Sequence, residues 1–441
     1  MAGPAIRCLE LARALARSGR VGPVTVASLT SADLSDEAVR VLTATGADEL
    51  RAAVAGVGSV VVQGDVLGLH PWLAEVDIPL VVDAYDPFHL EQLEQAKELG
   101  EARRRAVVRD CVRSLNRQLT RADLVLCASV RQRALWTGHL AALGRVNPVT
   151  YDVAADLSGL LAVVPFGVPP TPARPGDRRR MTADLPAIGP DDQVLVWGGG
   201  VYDWFDPDTV IRAVGKLAPS RPGLRLLFLG TRHPAQGGVG AAAVARAQAL
   251  THSLGLLGTV VHFSAGWVPR AELDLWLSSC TVGVSAHRAH VETEFSFRTR
   301  LVDYLWCGLP VVATAGDELG ELVADSGAGR LVAEGDVDGF AAALAGYLDD
   351  DRERAAASAA ARTLAGGFSW DAVIAPLVAF CAAPHRAPDL VLDAGERELL
   401  GVSAGPGRAP LPTRVRATLR EGGAGLVLRR LAGRAGLRPR G

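Results

Sequence analysis

The sequence predicts an α/β protein built from two doubly wound parallel-sheet halves, and three observations carry that prediction. Short apolar runs alternate with helical periodicities as far as about residue 380. Several runs end in a polar residue, as a buried parallel strand does where it delivers a side chain to the sheet's carboxyl edge. The alternation stops once, in a proline-rich stretch over 165–190, and then restarts.

In order, Ile6, Leu9, Leu11, Ala12 and Leu15 repeat with helical period, so 4–18 is expected to be an amphipathic helix. Strands are expected at 24–28, 59–63, 80–83, 124–128 and 161–164. Long charged helical patterns cover 90–121 and 130–143. After the hinge, strands are expected at 194–197, 224–229, 260–263, 281–285 and 310–314. Gly198-Gly-Gly200 forms a loop after the first of these, and Asp206-Pro207 reads as an N-cap followed by proline at the first helical position. A last helix runs from Phe368-Ser-Trp370 to about Phe380, and the chain from Pro384 reads as loose. The expected division is 1–168, a linker at 169–190, 191–367, a closing helix at 368–383 and a basic tail at 384–441.

At 441 residues and 49% hydrophobic content, the chain is long enough for two or three domains with sizeable cores. A formal net charge of −2 gives no whole-chain sign of nucleic-acid binding. The cysteines form no CxxC and no metal-ligand spacing; Cys127, Cys280 and Cys307 sit among apolar neighbours as buried thiols, which points to a reducing cytoplasm. The first residues already carry a charged helical pattern rather than a leader, and no apolar run is long enough to span a bilayer. The tail carries Arg414, Arg416, Arg420, Arg429, Arg430, Arg434, Arg438 and Arg440 among leucines. It reads either as a basic amphipathic element for an anionic membrane face or as a disordered basic tail. It lacks the aromatic residues that would stack on bases.

The chemistry concentrates in 292–312. The sequence predicts a short helix there, capped by Ser296 and ended by Gly308 in the left-handed conformation, with Pro310 just beyond and a strand from Val311. Glu292 and Glu294 stand before the helix, Arg298 and Arg300 lie in its first turns and Asp303 follows on its body. A helix start with free N–H groups and two arginines suits phosphate, and a carboxylate further along suits ribose hydroxyls. The alternative is a solvated amphipathic helix with routine charges. Asp83 and Asp86, at the carboxyl end of a first-half strand, suit either an acceptor hydroxyl or helix capping. His287 and His290 lie near the acids, but no further fixed ligand supports a metal.

The two-half architecture, the Gly198–Gly200 loop, Leu229-Gly-Thr-Arg232 and the 292–312 stretch together resemble retaining glycosyltransferases of family 4, with the GT-B fold. Tyr85-Asp-Pro87, Cys127-Ala-Ser129, Val164-Pro-Phe-Gly167, Phe295-Ser-Phe-Arg-Thr-Arg300 and Asp303-Tyr-Leu-Trp306 resemble one bacterial subgroup, and the likeness covers about 2–380. It implies two Rossmann-like domains facing across a cleft, with a nucleotide diphosphate sugar held mainly by the second. The acceptor, a glycan, a lipid-linked or a small molecule, lies in the first. It implies no metal or other cofactor, because a helix N-terminus and basic side chains take the diphosphate charge. Gly199, Gly200, Arg232, Ser296, Arg298, Arg300 and Asp303 are the implied donor-binding residues, and Asp303 matches the family's ribose-binding glutamate. The sugar-facing acid is out of register, leaving Glu292 and Glu294 as rivals with Glu294 preferred through a one-residue bulge; Asp86 completes the catalytic candidates.

Three departures stand out. The second-half Gly-rich turn lacks the family's Arg and Lys. Tyr85, with His89 nearby, stands where many members place a histidine. Met1-Ala-Gly-Pro4 resembles the end of the family's first Gly-rich turn, so either the start is internal or the first sheet lacks its central strand. The resemblance thus implies transfer of a sugar to an acceptor hydroxyl with retention, in cell-surface glycan or glycolipid synthesis, in the cytoplasm or at the inner membrane face. A nucleotide-sugar epimerase or hydrolase of the same fold, or a catalytically silent partner protein, is the alternative.

Overall fold

The computed structural model describes residues 3–30, 34–231, 241–264 and 266–402. Two parallel sheets dominate, each sandwiched by helices. The first half contributes β1 (Thr25–Ser28), β2 (Arg40–Thr43), β3 (Val60–Gln63), β4 (Leu80–Asp83), β5 (Leu124–Cys127) and β6 (Leu161–Val163). Strands β3 to β6 pair in sequence order, while β1 and β2 form a separate parallel pair. Helix α1 (Gly3–Arg17) covers both pieces. Its Leu11, Ala14 and Leu15 pack with Val81, Leu124 and Leu126, and its Leu9 and Ala12 pack with Val39 and the flanks of β1 and β2.

The second half forms one six-stranded sheet from β7 (Gln193–Gly198), β8 (Leu224–Leu229), β9 (Val261–Phe263), β10 (Val282–Ser285), β11 (Val311–Thr314) and β12 (Gly329–Val332). The order β9-β8-β7-β10-β11-β12 reverses direction between β7 and β10. Successive crossovers there leave on opposite faces, which opens a crevice at the carboxyl ends of β7 and β10. Leu195, Trp197, Phe228 and Val284 fill one face of this sheet, and Val196, Leu227 and Val311 the other.

The helices that matter for the cleft are α2 (Phe88–Gln95), α3 (Val130–Ala142), α4 (Val291–Phe295), α5 (Thr299–Trp306) and α6 (Glu318–Asp325). The helix expected over 90–121 is broken: α2 ends in a tight turn, Leu99 is extended, and Gly100 starts a new helix over Glu101–Arg121. The proline-rich hinge holds a helix, Arg178–Asp184, capped by Asp177. Next to it the chain crosses itself. Val168 N–H donates to Phe368 O at 2.8 Å and Trp370 N–H to Val168 O at 2.9 Å. Gly167 is required at this crossing, because a Cβ there would lie 2.6 Å from the Trp370 ring. The closing segment forms two short helices, Trp370–Val373 and Ala375–Ala382, which pack on the first domain through Trp370, Ile374 and Leu377.

Between Pro384 and Val402 the chain is not loose. Asp389 is fully buried against Arg145, at 2.6 and 3.1 Å, and Ala387 N–H and Arg386 both reach Asp123. The sequence hid this because the pairing spans 244 residues. Arg145→Met is expected to destabilise the protein by about 3–5 kcal/mol, because Asp389 would stay buried without its countercharge. Urea denaturation of the full chain measures it. The arginines of the basic tail from 414 onward lie outside the described residues, as does Arg232. Among the described residues no helix is long and apolar enough to cross a membrane.

Candidate functional site

The crevice at the β7–β10 reversal is built on glycine and one tyrosine. Tyr304 of α5 is fully buried, and its hydroxyl accepts from Gly198 N–H at 2.6 Å and reaches Val196 O and Val284 O. A Cβ on Gly283 would lie 2.5 Å from the ring, so the glycine lets Tyr304 lie flat across β10. This bolts α5 beneath the loop that follows β7. Gly199 has φ 100°, which only glycine adopts without strain. The next loop segment pairs with the chain after β10: Phe205 bridges His287, and Asp206 N–H donates to Ala286 O. Tyr202 stacks on Trp204, and Phe205 packs edge-on to Trp197, so the aromatic cluster is partly core; Asp203 pairs with Arg246.

The acids, expected to stand before the helix, lie on a short helix of their own. One-turn α4 is capped by His290, whose Nδ1 accepts from Thr293 N–H. Ser296 is therefore not an N-cap. It terminates α4, its hydroxyl donates back to Thr293 O, and α5 starts only at Thr299 with no side-chain cap. Gly308 ends α5 at φ 67°, and β11 follows. The break settles which way the acids point. Two residues apart on a helix, they face different sides. Glu292 is buried, while Glu294, the preferred sugar-facing acid, is exposed and lines a cavity of about 750 Å³ with Arg131, His290 and Glu321.

Arg298 and Arg300 also point inward. Arg298 donates to Glu292 Oε2 at 3.0 Å and lies over the Phe205 ring. Arg300 donates to Gly200 O at 2.8 Å and lies over Trp197 and Phe205, and burial draws its guanidinium down to about 10. These ties brace the loop and the acid. What each arginine leaves unpaired within the protein is Arg298 Nε and Arg300 Nη1. His287 leaves both ring nitrogens unpaired, His290 leaves Nε2, and Ser285 leaves Oγ. Burial and the Arg298 charge hold the His287 imidazole neutral, down to about 3. Asp303 is held by Arg270 at 2.6 Å, a partner absent from the sequence reading. Their separation of 33 residues gave no local signal.

The first domain meets this crevice with its own carboxyl edge. Helix α4 packs against α2 and α3. Asp86, just past β4, is held up at about 7 by burial first, then by Glu292 and by Asp83. Glu91 on α2 is raised well above the carboxylate range by burial, then by Asp86 and Glu292. Asp83 itself is committed to a buried pair with Arg7, at 2.7 and 2.8 Å. His89 lies against Trp136 and His139 instead, its imidazole drawn down to about 4 by burial. Thus Asp86, Glu91 and Glu292 converge from both halves with Arg298 as countercharge. Among the described residues no three His, Cys, Asp or Glu side chains are arranged so that they could hold one metal ion.

Two facing doubly wound sheets with this cleft make the GT-B fold, and solved glycosyltransferases share it. Sucrose-phosphate synthase from Thermosynechococcus elongatus superposes with TM-score 0.61 at 19% identity, covering 85% of this chain and 92% of that one. The Anabaena protein HepE in complex with UDP and glucose gives 0.63 at 18%, covering 86% and 96%.

Within that class, residues 192–350 match the model of the family "Glycosyl transferases group 1". The chain is 31% identical over 235 residues to the D-inositol 3-phosphate glycosyltransferase of Mycobacterium marinum, covering 53% of this chain and 45% of that protein. It is 32% identical over 238 residues to that of Actinosynnema mirum, covering 52% and 55%. The chain thus spans about half the length of the curated relatives it matches.

Proposed function

We propose that the protein transfers a sugar from a nucleotide diphosphate donor to an acceptor hydroxyl with retention at the anomeric carbon. The observation that carries this is the meeting of the Gly198–Gly200 loop, at the β7–β10 reversal, with the inward-facing Glu292 and with Asp86 from the opposite domain. The donor base and ribose lie along α5, with Asp303 on the ribose hydroxyls. The diphosphate lies over Gly199 and Gly200, where unpaired Arg298 Nε, Arg300 Nη1 and the neutral His287 supply donors. Glu292, rather than Glu294, faces the donor sugar. The acceptor sits against Asp86, and the leaving diphosphate oxygen takes its proton, so no metal and no separate strong base is needed. Closure of the two domains excludes water and limits hydrolysis of the donor. The acceptor in the relatives' names, an inositol phosphate, makes a polyol the first to test.

The membrane role rests on the arginine-rich tail, proposed to touch an anionic inner membrane face when the acceptor is lipid-linked or part of a surface glycan. A second reading, a catalytically silent partner protein, is favoured by one observation: both arginines expected on the diphosphate are engaged within the protein.

Titration calorimetry with UDP, GDP and dTDP sugars separates the two. Binding of one of them is expected, and Asp303→Ala should weaken it about tenfold or more through the lost ribose hydrogen bonds. Unchanged affinity in that variant would refute the ribose assignment. No binding by any of the three sugars would favour the silent protein.

A further inference from the structure

The amino end of α3 carries contacts that no part of the proposed chemistry uses. Helix α3 follows β5 in the first domain, and Ser129 caps it internally through Gln132 N–H. Its first free N–H groups are nevertheless filled from the other domain. The carboxylate of Glu318, first residue of α6, accepts from Val130 N–H at 3.0 Å and from Arg131 N–H at 2.7 Å. An anion at a helix amino end meets both free donors and the positive end of the helix dipole.

The next two residues extend the join. Arg131 reaches Gly316 O at 3.0 Å and both oxygens of Glu321 at 2.6 Å. Gln132 is fully buried, and its amide donates to Tyr85 O and to Phe295 O, both at 2.8 Å. That one side chain therefore ties the residue before Asp86 to the last residue of α4, the helix that carries Glu292. Three consecutive residues on one side meet the segment after β11 and the end of α4 on the other.

We propose that the amino end of α3 is the closure latch of the cleft. In it Glu318, Arg131 and Gln132 act as positioning residues that bring Asp86 and Glu292 together. Opening the cleft breaks the Glu318 and Arg131 bonds and frees Gln132 from Phe295. The latch is polar, and its Arg131–Glu321 pair sits at a partly exposed seam. Its ion pairs are exposed enough to exchange partners, whereas Gln132 is not. Arg131 and Glu321 thus set how readily the domains part, and Gln132 sets their register when shut.

Backbone hydrogen exchange on the full chain, without any ligand, tests this independently of the proposed reaction. Glu318→Ala is expected to speed exchange at Val130 and Arg131 about tenfold or more. Arg131→Glu is expected to do the same there and at 291–295, while β7 and β8 keep wild-type protection. The charge-swapped pair, Arg131→Glu with Glu321→Arg, is expected to recover to within about fivefold of wild type. Glu318→Gln, which keeps one acceptor, should fall between Glu318→Ala and the native protein. Wild-type exchange in Glu318→Ala and Arg131→Glu would overturn the latch. So would a swapped pair no better protected than the single Arg131→Glu variant. If β7 and β8 also lost protection in Glu318→Ala, the Glu318→Gln variant decides: wild-type exchange at Val130 and Arg131 overturns the latch, and intermediate exchange supports it.

Discussion

Arg298→Leu is expected to lower the unfolding free energy by about 3–5 kcal/mol. Arg298 is 5% exposed and Glu292 2%, so neither charge has water to fall back on. Glu292 also shares its pocket with Asp86 and Glu91, which repel it. Removing this countercharge leaves Glu292 buried beside Asp86 and Glu91 with no arginine to offset its charge. Leucine keeps most of the volume, so a cavity is a minor part of the loss. Arg298→Leu combined with Glu292→Gln should recover a large share of the stability, because the charge in need of a partner is gone. Urea denaturation of the two single variants and the double variant forms the cycle. A single-variant loss below about 1 kcal/mol would mean that Glu292 is hydrated, and the inward-facing assignment would fall.

Asp86→Asn is expected to stabilise the protein at pH 8 and to abolish most turnover. In the folded protein this carboxyl is held up at about 7, chiefly by burial and then by Glu292 and Asp83. In the unfolded chain it ionises near its ordinary value of about 4. The folded state therefore binds an extra proton between those values. The stability that goes with that proton is complete below about pH 4 and is lost as pH rises to about 7. Asparagine has no charge to bury, so it should raise Tm by several degrees at pH 8 and change it little at pH 4. The same variant should lose about 10²-fold or more in transfer rate if Asp86 orients the acceptor hydroxyl. Equal effects on Tm at both pH values would contradict the raised proton affinity of this acid in the folded protein.

What the chain revealed in advance was whatever is written locally. The buried strands β4, β5, β8 and β11 are short apolar runs, and the Gly308 stop needs only a helix followed by glycine and proline. The edge strands β2 and β12 were invisible, since each is four residues long, carries an arginine and is only partly covered. The break between α4 and α5 was missed because Ser296 has an N-cap's chemistry but ends the preceding turn. The sequence places both acids before the helix, whereas they lie on a short helix of their own that buries Glu292 and exposes Glu294. Partners were least legible of all. Arg270 for Asp303, Glu318 for the α3 amino end and Asp389 for Arg145 depend on topology, which no local window contains.

The proposed transfer is tested most directly by proton NMR of the purified full chain. The sample contains the nucleotide sugar that binds, with inositol phosphate and then other polyol acceptors supplied in turn. The expected result is nucleoside diphosphate release that requires the acceptor, together with a new anomeric signal of the same configuration as the donor. Donor consumption without any acceptor, a product of inverted configuration, or a folded protein that binds a donor and turns over none would contradict it.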